Sequence, residues 1–211
     1  MRRFVPKRVN ERVALLLINL FFVLLVPATI PSTPAASENP GPAETVVRQM
    51  LDSISKLRTT ENSATRNGLI KKIDGSLALD SLSQRAFGAQ WGKLDTTQRA
   101  RFAHLLRELL EKLAYPHASQ FFTGLEVEFR REQVKDGQRV VPTTVKRREG
   151  GAVSIDYVLA RTGPRWRVVD IVLDGQSLAT NVEGQIQAVL KQGSYDRLMA
   201  QMEAKLKQPG S

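Results

Sequence analysis

The 211-residue chain contains no cysteine. That absence removes disulfides, thiol nucleophiles, thiolate metal sites and lipoprotein-type acylation together. It leaves stability to packing. Histidine is nearly as scarce. His104 and His117 are the two present, and without cysteine beside them their spacing offers no zinc site, so structural or surface roles are expected for both. No Gly-x-Ser-x-Gly elbow occurs, since Gly175-Gln176-Ser177 does not supply one. No glycine-rich loop is placed to cradle a phosphate. After Val26 there is no second long apolar run, and no internal repeat or low-complexity segment follows.

What remains is a basic, moderately apolar chain. Its hydrophobic content of 42% suffices for one ordinary globular domain with a core. The N-terminus reads as an address. Arg2, Arg3, Lys7, Arg8 and Arg12 precede an apolar run from Val13 to Val26, broken only by Asn19. The run is short against the roughly 20 residues that span a bilayer. Pro27, Pro31 and Pro34 follow, with small residues at Ala28, Ala35 and Ala36. This is the pattern of a secretory signal peptide, with cleavage after Ala28 or near Ala35 or Ala36. A retained anchor is the alternative. Residues 1–36 are assigned to this peptide and 37–43 to a linker. Losing the leader reduces the formal charge from +10 to +6. A basic exported domain suits anionic lipid or acidic protein surfaces, while ordinary solubilising charge explains it equally well. The cations are dispersed and show no aromatic interleaving, so no nucleic-acid partner is expected.

Helical periodicity dominates the first half. Val46, Val47, Met50, Leu51, Ile54 and Leu57 form one stripe. Ala64–Ile73 reads as a second helix, and Asp80 as the N-cap of a short third one ending at Phe87. Asp95, with Gln98 at the capping-box position, opens the strongest helix, whose stripe is Phe102, Leu105, Leu106, Leu109, Leu110 and Leu113. Tyr115-Pro116 should break or kink it.

From Leu125 the period changes to two. Strands are expected over 125–130, 139–148, 153–159 and 166–173, with Asp136-Gly137 as a hairpin turn and Pro142 favouring an edge or a bulge. The stretch Trp166–Lys191 runs from the last strand into an amphipathic helix carrying Leu178, Val182, Ile186, Val189 and Leu190. Strict alternation would put Val169, Ile171 and Leu173 on one face, and Trp166, Val168 and Asp170 on the other. Ser194 caps a last helix bearing Leu198, Met199, Met202 and Leu206. The expected fold class is α+β, with N-terminal and C-terminal helices packed on a four-stranded antiparallel meander.

Asp170 is the residue that most invites a catalytic reading. It sits mid-strand among apolar neighbours, where burial would raise its pKa. In a cone-shaped helix-and-sheet fold such an aspartate can move protons, as in ketosteroid isomerase. The alternative is a carboxylate satisfied by arginine or backbone N–H groups.

The run Trp166-Arg167-Val168-Val169-Asp170-Ile171-Val172-Leu173-Asp174-Gly175-Gln176-Ser177-Leu178 resembles the signature strand and turn of the MlaC, or toluene-tolerance, family. Gly193-Ser194-Tyr195-Asp196-Arg197-Leu198 resembles its next element. Arg85-Ala86-Phe87-Gly88 with Trp91, followed by Leu94-Asp95-Thr96-Thr97-Gln98-Arg99 and Phe102, resembles its central helical section. Gln176 stands where the family commonly has valine. The resemblance covers roughly Glu44 to Leu206.

It implies a cone-shaped fold with an internal apolar cavity, residues 44–207 forming a single lipid-binding domain. It further implies a periplasmic carrier without cofactor or catalysis, passing phospholipid between an outer-membrane lipoprotein complex and an inner-membrane ABC transporter with a membrane-tethered ring protein. A hopanoid cargo is a variant, as is an enzyme of the same fold using Asp170. An adaptor whose cavity is filled by side chains is a third reading. Each buried methylene contributes about 0.8 kcal/mol, so two acyl chains in a dry cavity would bind too tightly for free exchange, and release would need a partner. The candidate tail-lining residues are Phe87, Trp91, Phe102, Leu106, Leu109, Val153, Ile155, Tyr157, Val169, Ile171, Leu173, Val182 and Ile186. Head-group candidates are Lys146, Arg147, Arg148, Arg161 and Arg165, with solvated surface charge as their plainer reading.

Overall fold

The computed structural model describes residues 41–146 and 151–208. The expected leader, most of the linker, and Arg147 and Arg148 lie outside the described residues. Helix α1 (Pro42–Leu57) opens with proline, whose fixed φ suits a first turn. It buries Val47, Met50, Leu51, Ile54 and Leu57 along one stripe. Asn62 caps α2 (Ser63–Ser76) by accepting from Thr65 N–H at 2.9 Å. Helix α3 spans Leu79–Phe87 and has no side-chain cap. The expected cap, Asp80, lies inside its first turn instead. The chain is fixed here by the sheet, because Ala78 N–H donates to the carbonyl of Val168 at 2.9 Å.

A 3₁₀ segment, Gly88–Lys93, leads to α4 (Thr96–Leu109), which starts with the full Asp95/Gln98 capping box. The break expected at Tyr115-Pro116 takes the form of a π-turn over Leu110–Ala114, after which α5 (Tyr115–Phe122) continues the rod. Tyr115 N–H bonds the Leu110 carbonyl, five residues back. Widening the helix just before Pro116 accommodates a ring that would otherwise meet the preceding turn.

Among the described residues the sheet has six antiparallel strands rather than four: β1 (Glu126–Phe129), β2 (Gln133–Lys135), β3 (Gln138–Lys146), β4 (Ala152–Thr162), β5 (Arg165–Leu173) and β6 (Gln176–Ser177). The order is β1-β3-β4-β5-β6, with β2 also paired to β3. The two missed strands are three and two residues long, and β2 is exposed throughout, so neither leaves a readable alternation. Strand β3 is interior, contrary to the edge expected from Pro142. The irregularity falls on its neighbour. Arg130 N–H donates to the Pro142 carbonyl at 2.9 Å, and β1 and β2 part there, opposite the residue that has no N–H to give.

Strand β5 carries a bulge: Val158 pairs with Asp170 and Leu159 with Val168, leaving Val169 without a partner. Strict alternation therefore fails. Trp166, Val168, Ile171 and Leu173 share the face that Leu159, Tyr157 and Ile155 also line, and Val169 leaves it.

Helices α6 (Leu178–Gln192) and α7 (Tyr195–Lys207) follow the sheet, capped by Ser177 and Ser194. They do not join the helices over the sheet. The apolar side chains form two clusters. One lies between the sheet and α1, α2 and α5 and includes Val47, Leu57, Ile73, Tyr115, Val141, Val145, Tyr157, Leu159 and Val168. The other is wholly helical, made by α3, the 3₁₀ segment, α4, α6 and α7, and includes Phe87, Phe102, Leu109, Ile186, Met199 and Met202. The helical cluster meets the sheet chiefly through β5.

Candidate functional site

The predicted tail-lining residues divide between these cores. Val153, Ile155 and Tyr157 are buried in the sheet core, with Ile171 and Leu173 partly exposed against it. Phe87, Phe102, Leu109 and Ile186 are buried in the helical core, with Trp91, Leu106 and Val182 at its margin. Val169 belongs to neither. The structure thus brings together two sets where one continuous lining was expected, and α6 closes over the helical core rather than over the sheet. The helical core is tight and aromatic: the Phe87 and Phe102 ring centroids are 5.1 Å apart and Trp91 lies 6.1 Å from each.

Around the sheet core, several apolar side chains keep part of their surface accessible. They include Leu110, Phe121, Phe122 and Val127 besides Ile171 and Leu173. Phe121 and Phe122 meet edge-to-face at 5.0 Å. Sequence reasoning passed over them because they follow the expected proline break, where the helical stripe seemed to end.

The π-turn marks the passage between the cores. Phe102, Leu105 and Leu109 belong to the helical core, Tyr115 and Ala118 to the sheet core. Beside the turn lies a polar cluster. Tyr115 donates to Asp74 Oδ1 at 2.6 Å, and Arg107 Nε stands 3.7 Å from Asp74 Oδ2. Glu111 shares a hydrogen bond with Asp74; desolvation first, then the neighbouring Asp74 charge, raises its pKa. Burial and the bond to Asp74 push the Tyr115 phenol far above its ordinary range.

Asp170 is saturated with donors. Oδ1 accepts from Ile171 N–H at 2.8 Å and Ala179 N–H at 3.1 Å, Oδ2 from Ser177 Oγ at 2.6 Å, and Arg85 stands 3.3 Å away. The carboxylate fastens the start of α6 to β5, which supports the organising role over the acid–base one.

Among the described residues, the head-group candidates fall at opposite ends of the sheet. Lys146 pairs with Ala152 at one end of β4, and Arg161 pairs with Trp166 at the other. Nine residues of strand, roughly 30 Å, separate them. Arg161 and Arg165 are exposed beside the Gly163-Pro164 turn, and Lys146 pairs with Glu128 at 3.0 Å. Among the described residues no group of histidines and carboxylates could hold a metal ion. No helix among them is long and apolar enough to cross a membrane.

No curated protein matches the chain. Among solved structures, the fold matches a phospholipid-binding protein from Ralstonia solanacearum, determined in complex with a phospholipid at 1.53 Å, with a TM-score of 0.66. Identity is 21%, and the alignment covers 81% of this chain and 97% of that chain, so the likeness is one of fold. The family model described as MlaC protein matches residues 44–204, from the first turn of α1 into α7. The whole sheet, its bulged strand and the capped α6 fall inside that span, and the chain belongs to the MlaC family.

Proposed function

We propose that the protein is a periplasmic lipid carrier that holds phospholipid acyl chains against the inner face of its sheet. It would serve as the soluble shuttle between an inner-membrane ABC transporter with its tethered ring protein and an outer-membrane lipoprotein complex. Membership of the MlaC family, whose proteins are periplasmic, supports this reading, as does the phospholipid held by the Ralstonia protein of the same fold. The observation that carries it is the continuous apolar face from Val153 to Leu159 on β4, flanked by Val141, Val145, Val168, Ile171 and Leu173 and roofed by helices. The six residue-to-residue rises from Val153 to Leu159 extend roughly 20 Å, longer than the roughly 15 Å of hydrocarbon in one bilayer leaflet. An acyl chain laid along it would meet no charged side chain on that face before Arg139 or Arg161. The protein's contribution is shape and dryness, so it acts by holding cargo rather than converting it.

The sheet core, rather than the helical one, is the proposed container. Its wall is one continuous sheet face with accessible apolar surface at Ile171, Leu173, Phe121 and Phe122, whereas the helical core has no such face and is occupied by the packed rings of Phe87, Phe102 and Trp91. Organic extraction of the purified protein followed by mass spectrometry tests the reading. Lipid should be recovered, and Leu173→Trp should lower its amount while Val182→Trp leaves it unchanged. Protein that carries no lipid and takes none up from vesicles sinks the proposal.

A further inference from the structure

The Asp136-Gly137 and Gly163-Pro164 turns lie at the same end of the sheet, because Arg139 pairs with Leu159 and Arg161 with Trp166. Val134, the large hydrophobic residue most exposed among those described at 71%, sits at this end. It lies directly opposite Arg139. The Arg139 guanidinium is 5.2 Å from the Trp166 ring centroid and that of Arg161 is 5.8 Å from it. Arg139 is neutralised by Glu132. Lys135, Arg161 and Arg165 are exposed, and among the described residues they have no carboxylate at ion-pair distance. Asp136 is the acid that opposes them on the two turns.

One exposed valine alone means little. Here it stands opposite Arg139, whose guanidinium reaches the Trp166 indole, at an end of the sheet that carries three uncompensated cations. An indole suits the boundary between water and acyl chain. Arginine and lysine stems lie along apolar surface while their heads reach phosphate. Two hairpin turns offer too little apolar area for a protein interface of ordinary size, but charge supplies binding to a bilayer. Each cation near an anionic surface contributes roughly five-fold in partitioning. The first turn of α1 also reaches this end, where Glu44 N–H donates to Glu132 at 3.0 Å.

We propose that this end of the sheet docks reversibly on an anionic bilayer surface, Val134 and Trp166 at head-group depth and Lys135, Arg161 and Arg165 on lipid phosphates. This goes beyond the carrier reading, which requires an interior site and says nothing of direct membrane contact.

Co-sedimentation of the purified exported protein with phosphatidylglycerol vesicles and with phosphatidylcholine vesicles, at low and high salt, tests it. Binding should favour phosphatidylglycerol and vanish at high salt. Arg161→Glu with Arg165→Glu should lower it by about 25-fold or more at roughly five-fold per cation, and Val134→Asp by several-fold. Lys71→Glu with Lys72→Glu, the same charge change on exposed α2 residues, should have far less effect. No preference for phosphatidylglycerol, unchanged binding in the Arg161/Arg165 variant, or an equal loss in the Lys71/Lys72 variant overturns the proposal, the last two pointing to another surface of the protein and to net charge. Extracted lipid is read on the same samples. A protein without lipid that still binds through this end keeps the docking and sinks the carrier reading.

Discussion

Tyr115 donates its hydroxyl to Asp74 across 2.6 Å at the point where the long helical rod leaves one apolar core and enters the other. The bond ties the end of α2 to the first residue after the π-turn. Glu111, inside that turn, adds a second carboxylate to the same aspartate, with Glu108 adding to the negative field and Arg107 opposing it. A raised pKa means that the folded protein keeps a proton which the unfolded chain has already released. Stability therefore falls as pH rises from the ordinary carboxylate value of about 4.3 through the higher folded value. Glu111→Gln keeps a donor for Asp74 and removes that loss. Its melting temperature should exceed that of the parent at neutral pH, and the difference should shrink towards pH 4. A Glu111→Gln protein that melts lower than the parent at neutral pH would show that the carboxylate stabilises the junction. Tyr115→Phe, which takes the buried hydroxyl donor from the Asp74 carboxylate, should cost about 2 kcal/mol by denaturant unfolding.

Asp170 separates an organising carboxylate from a catalytic one. Its two backbone donors come from different elements, β5 and α6. Asp170→Ala leaves Ala179 N–H and Ser177 Oγ without their acceptor and should destabilise by about 3 kcal/mol. Arg85→Ala removes a partner whose side chain is 42% exposed and should cost no more than about 1 kcal/mol. The comparison is read by chemical denaturation. An Asp170→Ala protein of parental stability would return the residue to the list of functional candidates.

Legibility in the sequence follows the length over which a pattern repeats. The stripe of α1, the Asp95 capping box and the alternation of β4 each rest on several residues obeying one period, and they were readable. Val169 was misplaced because one extra residue in β5 inverts every face before it, and nothing in the run Val168-Val169-Asp170-Ile171-Val172 marks where the bulge falls. The division into two cores was invisible for another reason. The apolar stripes of α6 and α3 look alike whether they face a sheet or each other, and only the tethers of Ala78 and Ala179 to β5 decide. The register gives a direct test. Val168→Ala should cost about 2 kcal/mol, since two buried methyl groups are lost and a void remains. Val169→Ala should cost well under half of that. Equal costs would mean that the bulge lies elsewhere.

Gly88 ends α3 with φ 67 and ψ −148, a combination that only glycine adopts freely. The backbone turns there so that Phe87 can enter the helical core while its carbonyl accepts from Gln187 Nε2 on α6 at 2.6 Å. A Cβ at this position would come within 2.7 Å of Glu183 Oε1 and 2.9 Å of Gln187 Nε2. Gly88→Ala therefore combines backbone strain with displacement of the bond between α3 and α6, and should destabilise by about 3 kcal/mol. Gly184, within α6, has open space around its would-be Cβ. Gly184→Ala should have the opposite sign, stabilising by about 0.5–1 kcal/mol as helix propensity improves. Both substitutions add one methyl group to helices of the same core. Differential scanning calorimetry of the pair then isolates conformation from composition, and two shifts of the same sign would contradict the turn described at Gly88.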